Sequence, residues 1–238
     1  MSGPLIEIVA RTGSTNSDLV ARIGAGLPPG EGHWLIADRQ EAGRGRAGRQ
    51  WHDGFGNFMG STVVALRAGD PHAPTLSLVA GVALHRAVSA IEPAAYLKWP
   101  NDVLLAGAKL AGILTERAGD MVVVGLGVNL VAAPEVAGRR TVALGGIGRD
   151  AFAHSLAGHW QSVLSAWHAG EWPALREEWQ ARAHPRGTLL GARDPELGPI
   201  TGAFAGLDDT GAALLRLADG TCRAIHAGDI DEAGRPAL

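Results

Sequence analysis

Apolar residues recur along the chain at two spacings, and the change from one to the other outlines the elements. From Ser14, "STNSDLVARIGAGLPPG" puts Leu19, Val20 and Ile23 on one side of a helical period. Ser14 or Thr15 can cap the N-terminus of that helix, and the glycines stop it. "HWLIADRQ" is a short strand candidate, and "NFMGSTVVALR" reads as a buried strand. "TLSLVAGVALHRAVSAI" repeats apolar residues at Leu76, Ala80, Ala83, Leu84, Ala87, Val88 and Ile91, which predicts an amphipathic helix. The strand-like runs "AAYLKW", "DVLLAG", "KLAGILTER" and "MVVVGLGVNL" follow with turn residues between them. So close a succession predicts antiparallel hairpins rather than repeated strand–helix–strand units.

The region from Asp150 to Ala183 returns to the helical period. Asp150 is the candidate cap, and Phe152, Leu156, Trp160, Val163, Leu164 and Trp167 line one face. Glu171-Trp172-Pro173 opens a second helix with proline in its first turn. After "AHPRG" the pattern shifts to short β runs punctuated by "DDTG" and "ADG", a small β-barrel pattern. A boundary near His184 to Gly187 divides the chain into residues 1–185 and a small β domain, 186–238. The fold class is α+β.

Composition narrows the function. The 238 residues carry 46% hydrophobic and 19% charged positions, ordinary for a globular protein with a sizeable core. A net charge of -3 argues against general nucleic-acid binding. The single cysteine, Cys222, permits no intrachain disulfide and suggests a reducing, cytoplasmic setting; we expect it to be structural. No secretory signal is evident at the start, and "MVVVGLGVNLVAA" is too short to span a membrane. The nine histidines show no metal-ligand spacing, and Trp160, Trp167 and Trp179 fall on helical faces suited to packing. Of 21 basic residues only Lys98 and Lys109 are lysines, and both fall in "LKWPNDVLLAGAKLAG". A compact ammonium differs from a planar guanidinium, so this clustering points to chemistry. The four asparagines, Asn16, Asn57, Asn101 and Asn129, each fall in a distinctive stretch.

Against this acidic background, "EAGRGRAGRQW" (residues 41–51) concentrates three arginines among three glycines. Gly43, Gly45 and Gly48 match the dinucleotide-binding spacing, but no helix follows to receive a pyrophosphate, and no Lys-Ser or Lys-Thr completes a P-loop. The remaining reading is a mobile loop that closes over an anion, with bare backbone amides and bidentate arginines as its tools.

Five motifs in order carry a resemblance: "STN" at 14–16, "QEAGRGRAGRQW" at 40–51, "KWPND" at 98–102, "KLAGIL" at 109–114 and "GLGVNL" at 125–130. Together they closely resemble the biotin protein ligases, over nearly the whole chain. The resemblance implies a mixed β-sheet flanked by helices, similar to class II aminoacyl-tRNA synthetases, with a C-terminal SH3-like β-barrel. It implies that ATP and biotin form biotinyl-5′-AMP, and that a lysine of a biotin carboxyl carrier protein then takes the biotin. Lys109, Arg44 and Arg46 become the catalytic candidates. Lys109 would contact the biotin carboxylate and the phosphate, and the arginines would cover the adenylate, with Arg49 in the same stretch. Ser14, Thr15, Asn16, Gln40, Gly43 and Gly45 join them as candidates for binding biotin. Trp51, Lys98, Trp99, Asn101, Asp102 and Asn129 are candidates for the ATP region, with Mg2+ expected near Asp102. The resemblance further implies no tightly bound cofactor, no membrane, and members that are monomers or homodimers.

Some members carry an N-terminal DNA-binding domain. Only 13 residues precede Ser14, so the expected type is monofunctional and makes no nucleic-acid contact. The alternatives are a lipoate or octanoate ligase and a biotin sensor that does not bind DNA. "GRGRAG" and "KWPND" favour biotin.

Overall fold

The structure, a computed structural model, describes residues 5–194 and 196–232. A seven-stranded mixed sheet is built from β1 (Ile6–Val9), β2 (Trp34–Ala37), β3 (Phe58–Ala65), β4 (Tyr96–Lys98), β5 (Asp102–Leu105), β6 (Ala108–Ala118) and β7 (Met121–Val128). The spatial order is β1-β2-β3-β7-β6-β5-β4, with β1 parallel to β2 and the other pairs antiparallel. The four expected strands from Tyr96 onward are the predicted hairpins. The pattern reading did not pick out β1, whose four residues pair only with β2 at the sheet edge. With α1 (Thr15–Gly24) as its crossover, it forms a strand–helix–strand unit with β2, the only neighbouring strands of this sheet that run parallel among the described residues.

Each face of the sheet is covered differently. On one side α2 (Leu76–Ser89), α3 (Arg149–His168) and α4 (Trp172–Ala181) pack over Val64, Val122, Val124 and Val128. Helix α2 was expected to be amphipathic, yet residues right round it are buried, from Leu76 to Val88. It lies between the sheet and the other two helices, so no side faces water, and its sequence is accordingly apolar almost throughout. Helix α3 does follow its predicted face, and Trp34, Phe58, Phe152 and Trp160 meet edge-on across it. Its cap differs from expectation. Gly148 holds the N-cap position, and Asp150 lies inside the first turn, where its charge meets the positive end of the helix.

On the other side only α1 is laid down. Its Leu19 packs with Leu35, Val63 and Val123 in a second, smaller cluster. The helix is too short to cover the rest of that face. The uncovered part is floored by glycine, because Gly125 and Gly127 follow Val123 at the period of two.

Beyond α4 the chain forms a five-stranded antiparallel sheet of β8 (Leu189–Asp194), β9 (Gly198–Leu207), β10 (Ala213–Arg216), β11 (Cys222–Ile225) and β12 (Asp231–Glu232). Its order is β11-β10-β9-β8-β12. Leu190, Phe204, Leu207, Leu215, Ile225 and Ile230 join the main core, so one apolar cluster runs through both sheets. Cys222 lies on β11 but is exposed, and packing gives it no structural role.

Candidate active site

The glycine floor can be derived from the strand register. Gly112 of β6 pairs with Gly127 of β7, and Gly125 pairs with Ser61 of β3 and Leu114 of β6. Glycine inside a strand weakens it unless something must approach the backbone closely. Here three side chains do. A Cβ on Gly125 would come within 2.1 Å of Asn16 Oδ1, and one on Gly127 within 2.3 Å of the Trp51 ring. A Cβ on Gly112 would meet Lys109 Nζ at 3.1 Å and Trp51 at 3.3 Å. The bare strands thus seat Asn16, Trp51 and Lys109 along one cleft.

One wall of the cleft is a buried polar network at the start of α1. Ser14 is the N-cap as expected, and its hydroxyl accepts from Ser17 N. Thr15 donates to Gln40 Oε1 through both its backbone N–H (2.8 Å) and its hydroxyl (3.0 Å). The Thr15 hydroxyl also touches Ser61 Oγ at 2.7 Å, and Ser61 donates to Asn16 Oδ1 at 2.6 Å. Asn16 Nδ2 in turn donates to Glu116 Oε2 at 2.8 Å. Two hydroxyls here carry two protons for three contacts, so oxygen lone pairs are in surplus along this wall. Such a wall suits a neutral ligand that presents N–H donors, as a cyclic urea does.

The opposite end of the cleft is cationic. Lys109 lies beside a β-bulge where the register of β5 and β6 shifts between Val103 and Leu104. That shift re-aims its side chain so that Nζ donates to Asp102 Oδ1 at 2.6 Å. The Gly/Arg stretch folds over this end as a tight hairpin. Trp51 N donates to Gly43 O (2.9 Å) and Gly45 N to Arg49 O (2.7 Å), and a short turn spans Arg46–Gly48. Gly48, and unusually Ala47 with φ 54, take left-handed backbone there. Arg44 pairs with Glu116 at 2.8 Å. Arg46 reaches Asn101 Oδ1 (3.0 Å), and Arg49 reaches Asp229 (2.7 Å), a residue of the C-terminal sheet region.

Most of the residues expected from sequence therefore meet. Ser14, Thr15, Asn16, Gln40, Arg44, Gly45, Arg46, Trp51, Asn101, Asp102 and Lys109 line the cleft. Asn129 lies in an adjoining hollow behind Trp51 and Lys109, with Arg139 and Thr141. Its buried Oδ1 has no hydrogen-bond partner among the described residues, while Nδ2 donates to Val142 O at 3.2 Å. Gly43 stands apart from these in the structure. It packs against the Trp51 carbonyl, where a Cβ would fall 2.6 Å away, so it lets the hairpin close rather than lining the cleft. Lys98 and Trp99 line neither the cleft nor the hollow. Lys98 pairs with Asp231, and Trp99 is buried with its indole N–H on Gly211 O at 2.9 Å, so both fasten the main sheet to the C-terminal one.

Sequence reasoning missed Ser61, Glu116, Asp229 and the three floor glycines. A serine within "FMGSTVVA" and a Gly-x-Gly inside a strand were visible signals for two of these. Nothing local marks Glu116 or Asp229.

Taken together, an acceptor-rich wall at one end and ammonium and guanidinium groups at the other suit a class of ligand that offers hydrogen-bond donors at one end and negative charge at the other. Known proteins agree with that class. Residues 11–129 match the Biotin/lipoate A/B protein ligase family, and residues 192–231 match the Biotin protein ligase C terminal domain. The chain is 39% identical over 230 residues to the biotin–[acetyl-CoA-carboxylase] ligase of Paracoccus denitrificans, covering 88% of this chain and 93% of that protein. It is 35% identical to the enzyme of the same name from Mycobacterium tuberculosis, covering 94% and 88% respectively. A solved biotin protein ligase from Aquifex aeolicus, in complex with biotin and ATP, superposes with a TM-score of 0.83 at 25% identity, covering 95% of this chain and 97% of that one. The chain belongs to the biotin protein ligases, a branch of the biotin/lipoate ligase family.

Proposed function

We propose that this protein activates biotin with ATP and transfers it to a lysine of the biotin carboxyl carrier protein of acetyl-CoA carboxylase. The supporting observation is the pairing of opposite ends within one cleft, with the Thr15–Ser61–Asn16 network at one and Lys109 with Arg46 at the other, while Arg44 shares the Glu116 carboxylate with Asn16 between them. The biotin carboxylate attacks the α-phosphorus of ATP and pyrophosphate leaves, giving biotinyl-5′-AMP. The acceptor lysine amine then attacks the acyl carbon and AMP leaves. Both partners of the first step are anionic. Lys109 screens their approach and the arginines balance the charge that develops, work worth about 100- to 1,000-fold for a single well-aimed donor.

Ser14, Thr15, Asn16, Gln40 and Ser61 hold the ring end. Gly45 brings bare backbone close to the ligand, and Trp51 divides the biotin side from the hollow where Asn129 and Arg139 face the nucleotide. Magnesium bound largely by ATP phosphates needs only one or two protein carboxylates, and Asp102 is the carboxylate beside Lys109 that fits. No helix among the described residues is long and apolar enough to cross a membrane, and we assign the protein to the cytoplasm. Closure of the Gly/Arg hairpin keeps water from a hydrolysable mixed anhydride.

The test is pyrophosphate release with ATP and either biotin or lipoate, followed by label transfer to a carrier domain. Release with biotin and biotinylation of the carrier are expected. Release with lipoate alone would overturn the assignment. Arg46→Gly is expected to make the adenylate and leak it.

A further inference from the structure

The segment between β11 and β12 crosses back to the cleft. Its alternation is simple, with Ile230 buried in the core while on either side Asp229 reaches the Gly/Arg hairpin and Asp231 reaches Lys98 of the main sheet. Asp229 divides its carboxylate between two arginines of the hairpin. Oδ2 accepts from Arg49 Nη2 at 2.7 Å, and Oδ1 accepts from Arg46 Nη1 at 3.3 Å. Gly228 O accepts from Arg46 Nη2 at 3.2 Å, and Arg49 Nε donates back to Arg46 O at 3.2 Å. Asp229 itself lines the cleft. Burial opposes its ionisation, but the Arg49 hydrogen bond and the charges of Arg49, Arg46 and Lys98 outweigh it and hold the carboxyl below the usual range.

A glycine-rich hairpin carrying long arginine side chains loses much freedom when those side chains are fixed on a ligand. A carboxylate that already fixes them removes part of that cost. It also repels phosphate. Arg46, Arg49 and Lys98 bring three positive charges against the two negative ones of Asp229 and Asp231, so the surplus at this end stays positive.

We propose that Asp229 is a positioning residue, holding Arg46 and Arg49 over the phosphate end of the cleft, so that the C-terminal sheet sets how long the adenylate is retained. This rests on the ligase reading above and assigns the C-terminal segment a part in it. The balance of the chemistry is untouched, because Asp229 acts through the arginines.

The experiment loads the full-length protein with labelled biotin and ATP, isolates the complex, and follows loss of biotinyl-5′-AMP during a chase with unlabelled biotin and ATP. Asp229→Asn, which keeps the size and removes the charge, is expected to release the adenylate about tenfold faster and to raise KM for ATP by about tenfold, the scale of freeing one long side chain. The kcat for pyrophosphate release should change little, and Asp229→Glu should restore retention. Unchanged retention in both Asp229→Asn and Asp229→Ala would overturn the proposal. So would a fall in kcat that accompanies a lower Tm, which would mark Asp229 as merely structural. A wild-type protein that forms no adenylate from biotin would remove the ligase reading, and this inference with it.

Discussion

The two faces of the seven-stranded sheet are made from the same strands and do opposite things. On β7, Val122, Val124 and Val128 enter the apolar layer beneath α2, α3 and α4. Between them, Val123, Gly125 and Gly127 turn the other way. Val123 is covered by α1, and the two glycines are left as floor. One face is stabilised by side-chain volume, and the other works because volume has been removed. Buried polar groups show the same contrast. Thr15, Asn16, Gln40 and Ser61 are all under a tenth exposed, yet they gather at the cleft and hydrogen-bond among themselves there, with oxygen lone pairs left over.

The largest break in this comparison is Lys109→Ala. Pyrophosphate release should fall by about 100- to 1,000-fold, with far-UV circular dichroism and Tm close to wild type. Near-normal release in that variant would take Lys109 out of the chemistry. Next come two neighbours on one strand. Gly125→Ala drives a methyl into Asn16 Oδ1 and should cut kcat/KM for biotin by about 100-fold. Val124→Ala faces the helices and should instead cost about 2 kcal/mol in urea unfolding, with kinetics preserved. If both substitutions moved the same observable, the division of labour between the faces would be wrong.

Asn57 sharpens the border between the faces. Its Oδ1 accepts from the backbone N–H of Leu130, Val131 and Ala132, at 3.0, 2.9 and 3.1 Å, which fixes the strand exit just after Asn129. Asn57→Ala leaves those donors unpaired and should lower stability by about 3 kcal/mol, read as the midpoint of chemical denaturation. The smallest effect lies at the sheet edge, on Glu7 of β1. The Arg22 guanidinium, foremost by its hydrogen bond, holds the Glu7 carboxyl down at about 2 against the opposing effect of burial. Because the folded pKa is lowered, the stabilisation is present above the ordinary value of 4.5 and is lost as pH falls toward 2. Wild type should exceed Glu7→Gln slightly in Tm at pH 6, and the two should converge near pH 2.

The fold was legible wherever a period was unambiguous, as in the hairpins from Tyr96 onward and in the Phe152–Trp167 face of α3. It was misread where context overrode the pattern. Helix α2 is enclosed on every side, and β1 is a four-residue edge strand that only its parallel partner defines. The cleft followed the same rule. Clustered lysine, arginine and asparagine flagged Lys109, Arg46, Asn16 and Asn101, because those residue types are scarce or out of place locally. Lys98 shared that signal, and Trp99 beside it entered through the resemblance of "KWPND". The structure sends both to the junction with the C-terminal sheet.

By itself the sequence determined the element types, the division into a larger α+β part and a small β part, and the chemistry of a cationic Gly/Arg loop. Those properties are set by neighbours within a few residues, through backbone preference, periodicity and charge. Tertiary structure decided which glycines became a floor, which carboxylate grips which arginine, and which tryptophan lines the cleft rather than the core. Asp229 and Arg49 lie 180 residues apart. The packing of Ile230 into the shared core and the Lys98–Asp231 pair beside it bring that carboxylate to the loop, and no local pattern encodes a contact closed by two sheets folding together.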